Sequence, residues 1–291
     1  MTPFHRNRFL WAITALFAVF AVLKATPLAM HIKTFVPVVS ILVPTLFAFI
    51  HGSRRIGWKS MWIFFGITFA VSWVMESTSI ATGFPFGHYH YTDNLGPKLG
   101  TVPLLIMPAY FSMCYVSWNL AHILLDKFDH RADSVQAFAI PLVAAFIMVM
   151  WDLCMDPARA TMSQAWVWHE GGSYFGVPFV NFMGWFLTVY LIFQLFALLL
   201  RKQNTGADPA DNGDRNGATW LLNVALYFAT FLEFVVAAAF VVDQPVTDPA
   251  GVVWSSKALF ETTGLVAIFT MGFVSLLGFF KVRQNQSLQQ T

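Results

Sequence analysis

Ser60-Met-Trp-Ile-Phe-Phe-Gly-Ile-Thr-Phe-Ala-Val-Ser-Trp-Val-Met-Glu76-Ser-Thr-Ser-Ile-Ala81 decides the fold. About 20 consecutive apolar residues span the hydrocarbon of a bilayer as a helix, and this run reaches that length with one carboxylate inside it. Similar runs lie at about 9–25, 34–51, 102–125, 135–154, 174–200, 218–241 and 258–280. The composition agrees: 57% of residues are apolar and 11% charged, against roughly 25% charged in soluble domains. The expectation is a single all-α integral-membrane domain over 1–291, a polytopic bundle of about eight transmembrane helices.

Working outward, the cations divide unevenly. Arg6, Arg8, Arg54, Arg55, Lys59, Lys127, Arg131, Arg201, Lys202, Arg215, Lys281 and Arg283 would share one side, and Lys24, Lys33, Lys98, Arg159 and Lys257 the other. The positive-inside rule then puts both termini in the cytoplasm of a multi-pass protein of the cell (inner) membrane. The N-terminal cations and apolar run imitate a signal peptide, but Lys24 interrupts the cleavage region, so the run reads as the first helix. Residues 203–217 form a polar cytoplasmic linker. A net charge of +2 without a basic stripe gives no reason to expect a nucleic-acid partner. Cys114 and Cys154 lie in or beside apolar runs and read as small core residues.

Beyond Glu76 the chain enters Gly83-Phe-Pro-Phe-Gly87-His-Tyr89-His-Tyr91-Thr-Asp-Asn94 and returns to apolar sequence at Val102-Pro103. A partial echo follows: Val102-Pro103, Tyr110-Phe111 and Tyr115 match Val177-Pro178, Trp185-Phe186 and Tyr190 at one offset, with Asp152 near the place of Glu76. Both loops, and 242–257, would face the outside.

Counted from the cytoplasmic ends, Glu76, Asp152 and Glu233 lie about 15–17 residues in, roughly 22–26 Å at 1.5 Å per residue. They would sit beneath the outer loops. Asp156 follows Asp152 by four residues, on one helix face, and Pro157 should end that helix. A carboxyl in lipid is costly to charge and is suited to hold and donate a proton. The ordinary alternative is a neutral acid hydrogen-bonding two helices together, yet several acids at one depth beside a polar aromatic loop favour function. Tyr89, Tyr91, Trp166, Trp168, Tyr174 and Trp185 would lie near the outer interface, where single Tyr and Trp residues form ordinary belts. In extended segments, however, Tyr89 and Tyr91, or Trp166 and Trp168, point to one side and can wall a pocket. Asn181 could join helices or hold a water or substrate oxygen. The eight histidines are scattered, only His88 and His90 having useful spacing, and no nucleotide or nucleophile motif is present. Neither a metal nor a cofactor is expected.

Glu76, Gly83-x-x-x-Gly87-x-Tyr89-x-Tyr91-Thr92, Gly100-x-Val-Pro103, Asp156-Pro157, Trp166-x-Trp168 and Tyr174-Phe-Gly176-Val-Pro178-x-x-Asn181-x-x-Gly184-Trp185 resemble the carotenoid biosynthesis protein family of bacteria and archaea. The motifs cover about 60–200. The best-known activity of that family is the CruF-type carotenoid 1,2-hydratase, which includes the bisanhydrobacterioruberin hydratases. One departure is Tyr110, where a tryptophan is expected. The resemblance implies cofactor-independent addition of water (a hydro-lyase reaction) to the terminal C=C of an acyclic carotenoid that enters sideways from membrane lipid. An acid would protonate the alkene, water would attack the tertiary cation, and a second carboxylate would take the surplus proton. Glu76 and Asp156 are the first choices for that pair, Asp152 and Glu233 the next. The aromatic residues named above, Tyr110 included, would hold the substrate with Asn181. The alternatives are a terpenoid cyclase or isomerase using the same acid chemistry, and a non-catalytic carotenoid- or lipid-binding membrane protein.

Overall fold

The computed structural model describes residues 7–26, 35–128, 136–204 and 217–288. Residues 205–216 of the expected linker and both chain ends lie outside the described residues. The chain is all-helical in its framework: α1 (Arg8–Lys24), α2 (Val36–Thr82), α3 (Ile106–Leu124), α4 (Gln136–Pro157), α5 (Phe179–Asn204), α6 (Gly217–Phe240), α7 (Ser256–Ala267) and α8 (Phe273–Leu288). One wide π turn, Ala158–Met162, follows α4; another, Ile268–Gly272, joins α7 to α8. Among the described residues, five helical stretches are long and apolar enough to cross a membrane: Val38–Thr82, Ala137–Met162, Phe179–Lys202, Gly217–Phe240 and Ser256–Leu288. Outward side chains on them, such as Phe179 and Phe269, are at least 70% exposed, an apolar surface suited to lipid.

α2 contains two of the apolar runs. Its break is the single residue Gly57, at φ 81° and ψ 156°, a conformation that only glycine adopts without strain. The expected loop at 52–59 is therefore shorter than the sequence suggested. The chain turns back there: the ring of Phe49 lies 4.8 Å from Trp62 and 5.5 Å from Phe65. Residues 16 apart on a straight helix would be separated by about 24 Å. Pro37 falls in the first turn, where its missing N–H costs nothing.

α3 lies at the centre, packed on α2, α4, α6 and α8. Nearly every one of its side chains is buried, including Tyr110, Ser112, Tyr115, Ser117, Asn119 and His122. That polarity keeps α3 out of the apolar set above, and it can be polar because it faces other helices instead of lipid. Its C-terminal half is pinned by polar contacts: His51 Nδ1 with Tyr115 Oη at 2.6 Å, Asn119 Nδ2 to Asn223 Oδ1 at 3.2 Å, and Arg55, which lies over the Trp220 ring, donating to Asn119 Oδ1. Cys114 and Cys154 are buried free thiols in the core.

Pro157 does not end its helix, contrary to the expectation from sequence. α4 runs through it into the π turn, where Ser163 N–H donates to Ala158 C=O at 3.0 Å. The wider turn continues the helix past the N–H that proline lacks. α5 begins at Phe179 rather than 174, because Tyr174 and Val177 bond to each other across a tight turn.

Candidate active site

The site is built from the loops that follow α2 and α4. Gly83, at φ 81°, closes α2 in a left-handed cap, its N–H donating to Ser79 C=O at 2.7 Å. Ser79 Oγ then accepts from Phe86 N and donates to Gly87 C=O, both at 3.0 Å. The loop is thus tied back onto the helix it has just left. Gly184 of α5 makes room for it, since a Cβ there would stand 2.5 Å from Pro85 O.

The returning chain forms β1 (Tyr89–Tyr91), which pairs antiparallel with β4 (Trp166–Trp168). Tyr89 lies opposite Trp168 and Tyr91 opposite Trp166. All four rings point inward, as the alternation in extended chain requires. The ladder extends at both ends, through His169 N–H to His88 C=O at 3.0 Å and Thr92 N–H to Ala165 C=O at 3.1 Å. Two further strand pairs, β2 (Lys98–Leu99) with β3 (Val102–Pro103) and β5 (Pro245–Thr247) with β6 (Val253–Ser255), lie in the other loops. Lys98 Nζ secures the cap by donating to Tyr91 C=O and to Asp93 Oδ1, each at 2.9 Å.

Beneath this cap Glu76 accepts three phenols. Tyr89 and Tyr91 donate to Oε2, the second at 2.8 Å, and Tyr110 donates to Oε1 at 2.7 Å. Burial and the adjoining Glu76 carboxyl push the Tyr89 and Tyr91 phenols well above their ordinary ionisation range, so both remain O–H donors. Asp156 accepts from Trp166 Nε1 at 2.7 Å and from Asn181 Nδ2, and the same Asn181 amide reaches Asp152 Oδ2 at 3.4 Å. Asp152 and Asp156 thus share a face and a partner, as their spacing predicts. Asp152 Oδ1 is buried without a hydrogen-bond partner. The Tyr91–Trp166 pair, rings edge-on at 5.9 Å, joins the two centres: its phenol holds Glu76 and its indole holds Asp156.

Glu76 and Asp156 open on one cavity of about 190 Å³, walled by Phe86, Tyr89, Tyr91, Tyr110, Trp151, Trp166, Trp168 and Trp185. Tyr110 and Trp185 stack face to face at 4.3 Å, and Tyr89 packs on Trp168 at 4.6 Å. Asn181 also lines the cavity; Asp152 stands behind it. Tyr174 is outside the lining, packed on Phe175 and Phe182. Glu233 lines the cavity away from the Glu76 network, paired with Lys24 at 2.5 Å and with Arg159 at 3.7 Å. Trp151, which no motif in the sequence marks, also walls the cavity, its edge meeting Trp185 at 6.1 Å. Its only signal was its place beside Asp152. His90 and His169 meet at 2.9 Å on the exposed side of the ladder, a pairing no local pattern marks because they lie 79 positions apart. Among the described residues no group of three or more His, Cys, Asp or Glu is arranged to hold a metal.

The sequence profile of the family described as "Carotenoid biosynthesis protein" matches residues 35–253. A curated relative, the bisanhydrobacterioruberin hydratase of Haloarcula japonica, is 30% identical over 126 residues, 43% of this chain and 41% of that protein. The match therefore spans less than half of the relative's length. No solved structure matches.

Proposed function

Because the chain belongs to the carotenoid biosynthesis protein family, we propose that it is a carotenoid hydratase, adding water to the terminal C=C of an acyclic carotenoid end. The family and the hydratase relative support a carotenoid-modifying enzyme. The observation that carries the finer reading is the meeting of two carboxyls from different helices, Glu76 and Asp156, on one apolar, aromatic-walled cavity.

Asp156, backed by Asp152 through Asn181, is the proton donor in this reading. Its O–H bond breaks as the alkene pair takes the proton at the less substituted carbon, leaving a tertiary cation. Ring faces steady such a cation by about 0.5–2 kcal/mol each, and Trp166, Trp168, Trp185 and Tyr110 surround the space where it forms. Water attacks the cation, and the surplus proton passes to Glu76, whose three phenol donors suit it to hold negative charge. Asn181 orients the acids. A cavity of about 190 Å³ takes one end of the substrate, with the polyene lying between helices toward lipid. The reaction balances with water alone and calls for no cofactor.

Mass analysis of products from membranes given an acyclic carotenoid in heavy-oxygen water tests the reading. The expected product carries the label in a tertiary hydroxyl. Cyclised, unlabelled product would instead favour a cyclase, and unchanged substrate across a panel of carotenoids would favour a binding protein. Asp156→Asn and Glu76→Gln should each lower turnover by about 10²–10⁴-fold, the range of general acid–base catalysis, while the protein still inserts. Near-normal activity in both would sink the mechanism.

A further inference from the structure

The described residues hold a second cavity of about 330 Å³ against the first. It is walled by the last turns of α1 and α6, by the π turn after α4 and by Phe260 of α7. Its lining is apolar apart from Thr26, Ser163 and three charged residues: Lys24, Arg159 and Glu233. Those three also line the first cavity. They form one cluster, with Lys24 Nζ 2.5 Å from Glu233, Arg159 3.7 Å from Glu233, and Lys24 donating to Ser40 Oγ of α2 at 2.9 Å. The Lys24 side chain is only 5% exposed.

Stability does not explain such a cluster. Removing several charges from water costs as much as their attraction returns, and apolar replacements of similar size are often neutral or better. Ionisable groups within membrane helices mark the paths of ions, protons and substrates instead. The position is informative. On the cap side, the reacting pole is closed by the β1–β4 ladder and by the bonds of Thr92 and Asn94 to residues 163–165. The second cavity, by contrast, reaches Ala25 and Thr26 just past α1 and Phe240 and Val241 at the end of α6, where the apolar sequence of α6 gives way to Asp243 and Gln244. Arg159 lies three residues after Asp156, and both line the first cavity.

We infer that Lys24, Glu233 and Arg159 form a charged portal that admits water from the second cavity to the cation in the first. The inference rests on the hydratase reading and adds to it the route of the second reactant. It makes the three ions positioning residues. With Ser163, they hold and pass water across a partition otherwise made of Met155 and Phe234, and Glu233 takes no part in the proton transfers at the alkene.

The test uses the fate of the cation. A cation that meets water becomes the tertiary alcohol; one that does not loses a proton and returns to alkene. In deuterated water the returned alkene carries deuterium. The full chain in membranes is given an acyclic carotenoid in deuterated water, and the ratio of deuterated alkene to alcohol is read by mass. Replacing the cluster with apolar side chains of similar size, Lys24→Met with Glu233→Leu and Arg159→Met, should raise that ratio about tenfold, a change of about 1.4 kcal/mol in partition. Ala237→Phe, which fills the second cavity while leaving all three charged side chains in the sequence, should move it the same way and carries the test if the triple variant does not insert. A ratio unchanged from the wild type in the inserted variants, even with both products reduced, overturns the portal and leaves the hydratase reading standing. A wild-type protein that yields neither alcohol nor deuterated alkene overturns that reading, and the portal with it.

Discussion

At the residue scale the site depends on donors gathered onto carboxyls. Glu76 receives phenols from two different elements, Tyr89 and Tyr91 from the cap and Tyr110 from α3. Tyr110 stands where the resemblance led one to expect tryptophan, and its hydroxyl accounts for its value here: it reaches Oε1 while its ring stacks on Trp185. Hydrogen bonds to a charged group contribute about 1.5–3 kcal/mol. Tyr110→Phe keeps the ring and removes the donor, so turnover should fall about tenfold or more with insertion unchanged, as single-turnover product analysis would register. Trp166→Phe, which withdraws the indole N–H from Asp156, should act in the same direction. Activity at the wild-type level in both variants would mean that these donors do not serve the chemistry.

At the element scale, two loops become one cap. β1 and β4 have no sheet to join except each other, and three residues per strand would not pair stably alone in water. They are held because α2, α4 and α5 bring their ends together. Gly184 is the close contact on which that depends. Gly184→Val would drive Pro85 and Phe86 off α5 and tilt β1, moving Tyr89 and Tyr91 away from Glu76. We expect turnover to fall by at least about 10²-fold, since a misplacement near 1 Å can cost that much. The check is kinetic, with detergent-extracted protein confirming that the helical content is retained. The π turn after Pro157 belongs to the same scale: it carries α4 far enough for Arg159 to reach Glu233.

At the scale of the whole molecule, eight helical passes with both termini in the cytoplasm is the arrangement we propose, the hairpin at Gly57 supplying two of them. Its sidedness is accessible to labelling. Cys114 and Cys154 are buried and give little background to an impermeant thiol reagent. Asp93→Cys, in the cap, should label from outside intact cells, whereas Lys202→Cys, at the far end of α5, should label only after the membrane is opened. Equal labelling of both from one side would overturn the topology.

The sequence by itself determined a great deal here. Runs of about 20 apolar residues have few stable solutions other than membrane helices, so the framework was legible before any coordinates. So was the inward pairing of Tyr89 with Tyr91 and Trp166 with Trp168, because alternation is a property of extended chain. The common face of Asp152 and Asp156 likewise follows from the helical repeat. Other features were decided only by tertiary structure, because they join residues far apart in the chain. No local pattern tells that Tyr91 and Trp166 lie opposite each other, that Tyr110 bonds Glu76, or that Lys24 crosses to Glu233. Pro157 shows the converse limit, since its local preference to end a helix gave way to a π turn. Glu76 was recognisable as an acid in the wrong solvent; that it faces Asp156 across one cavity depended on how the helices pack.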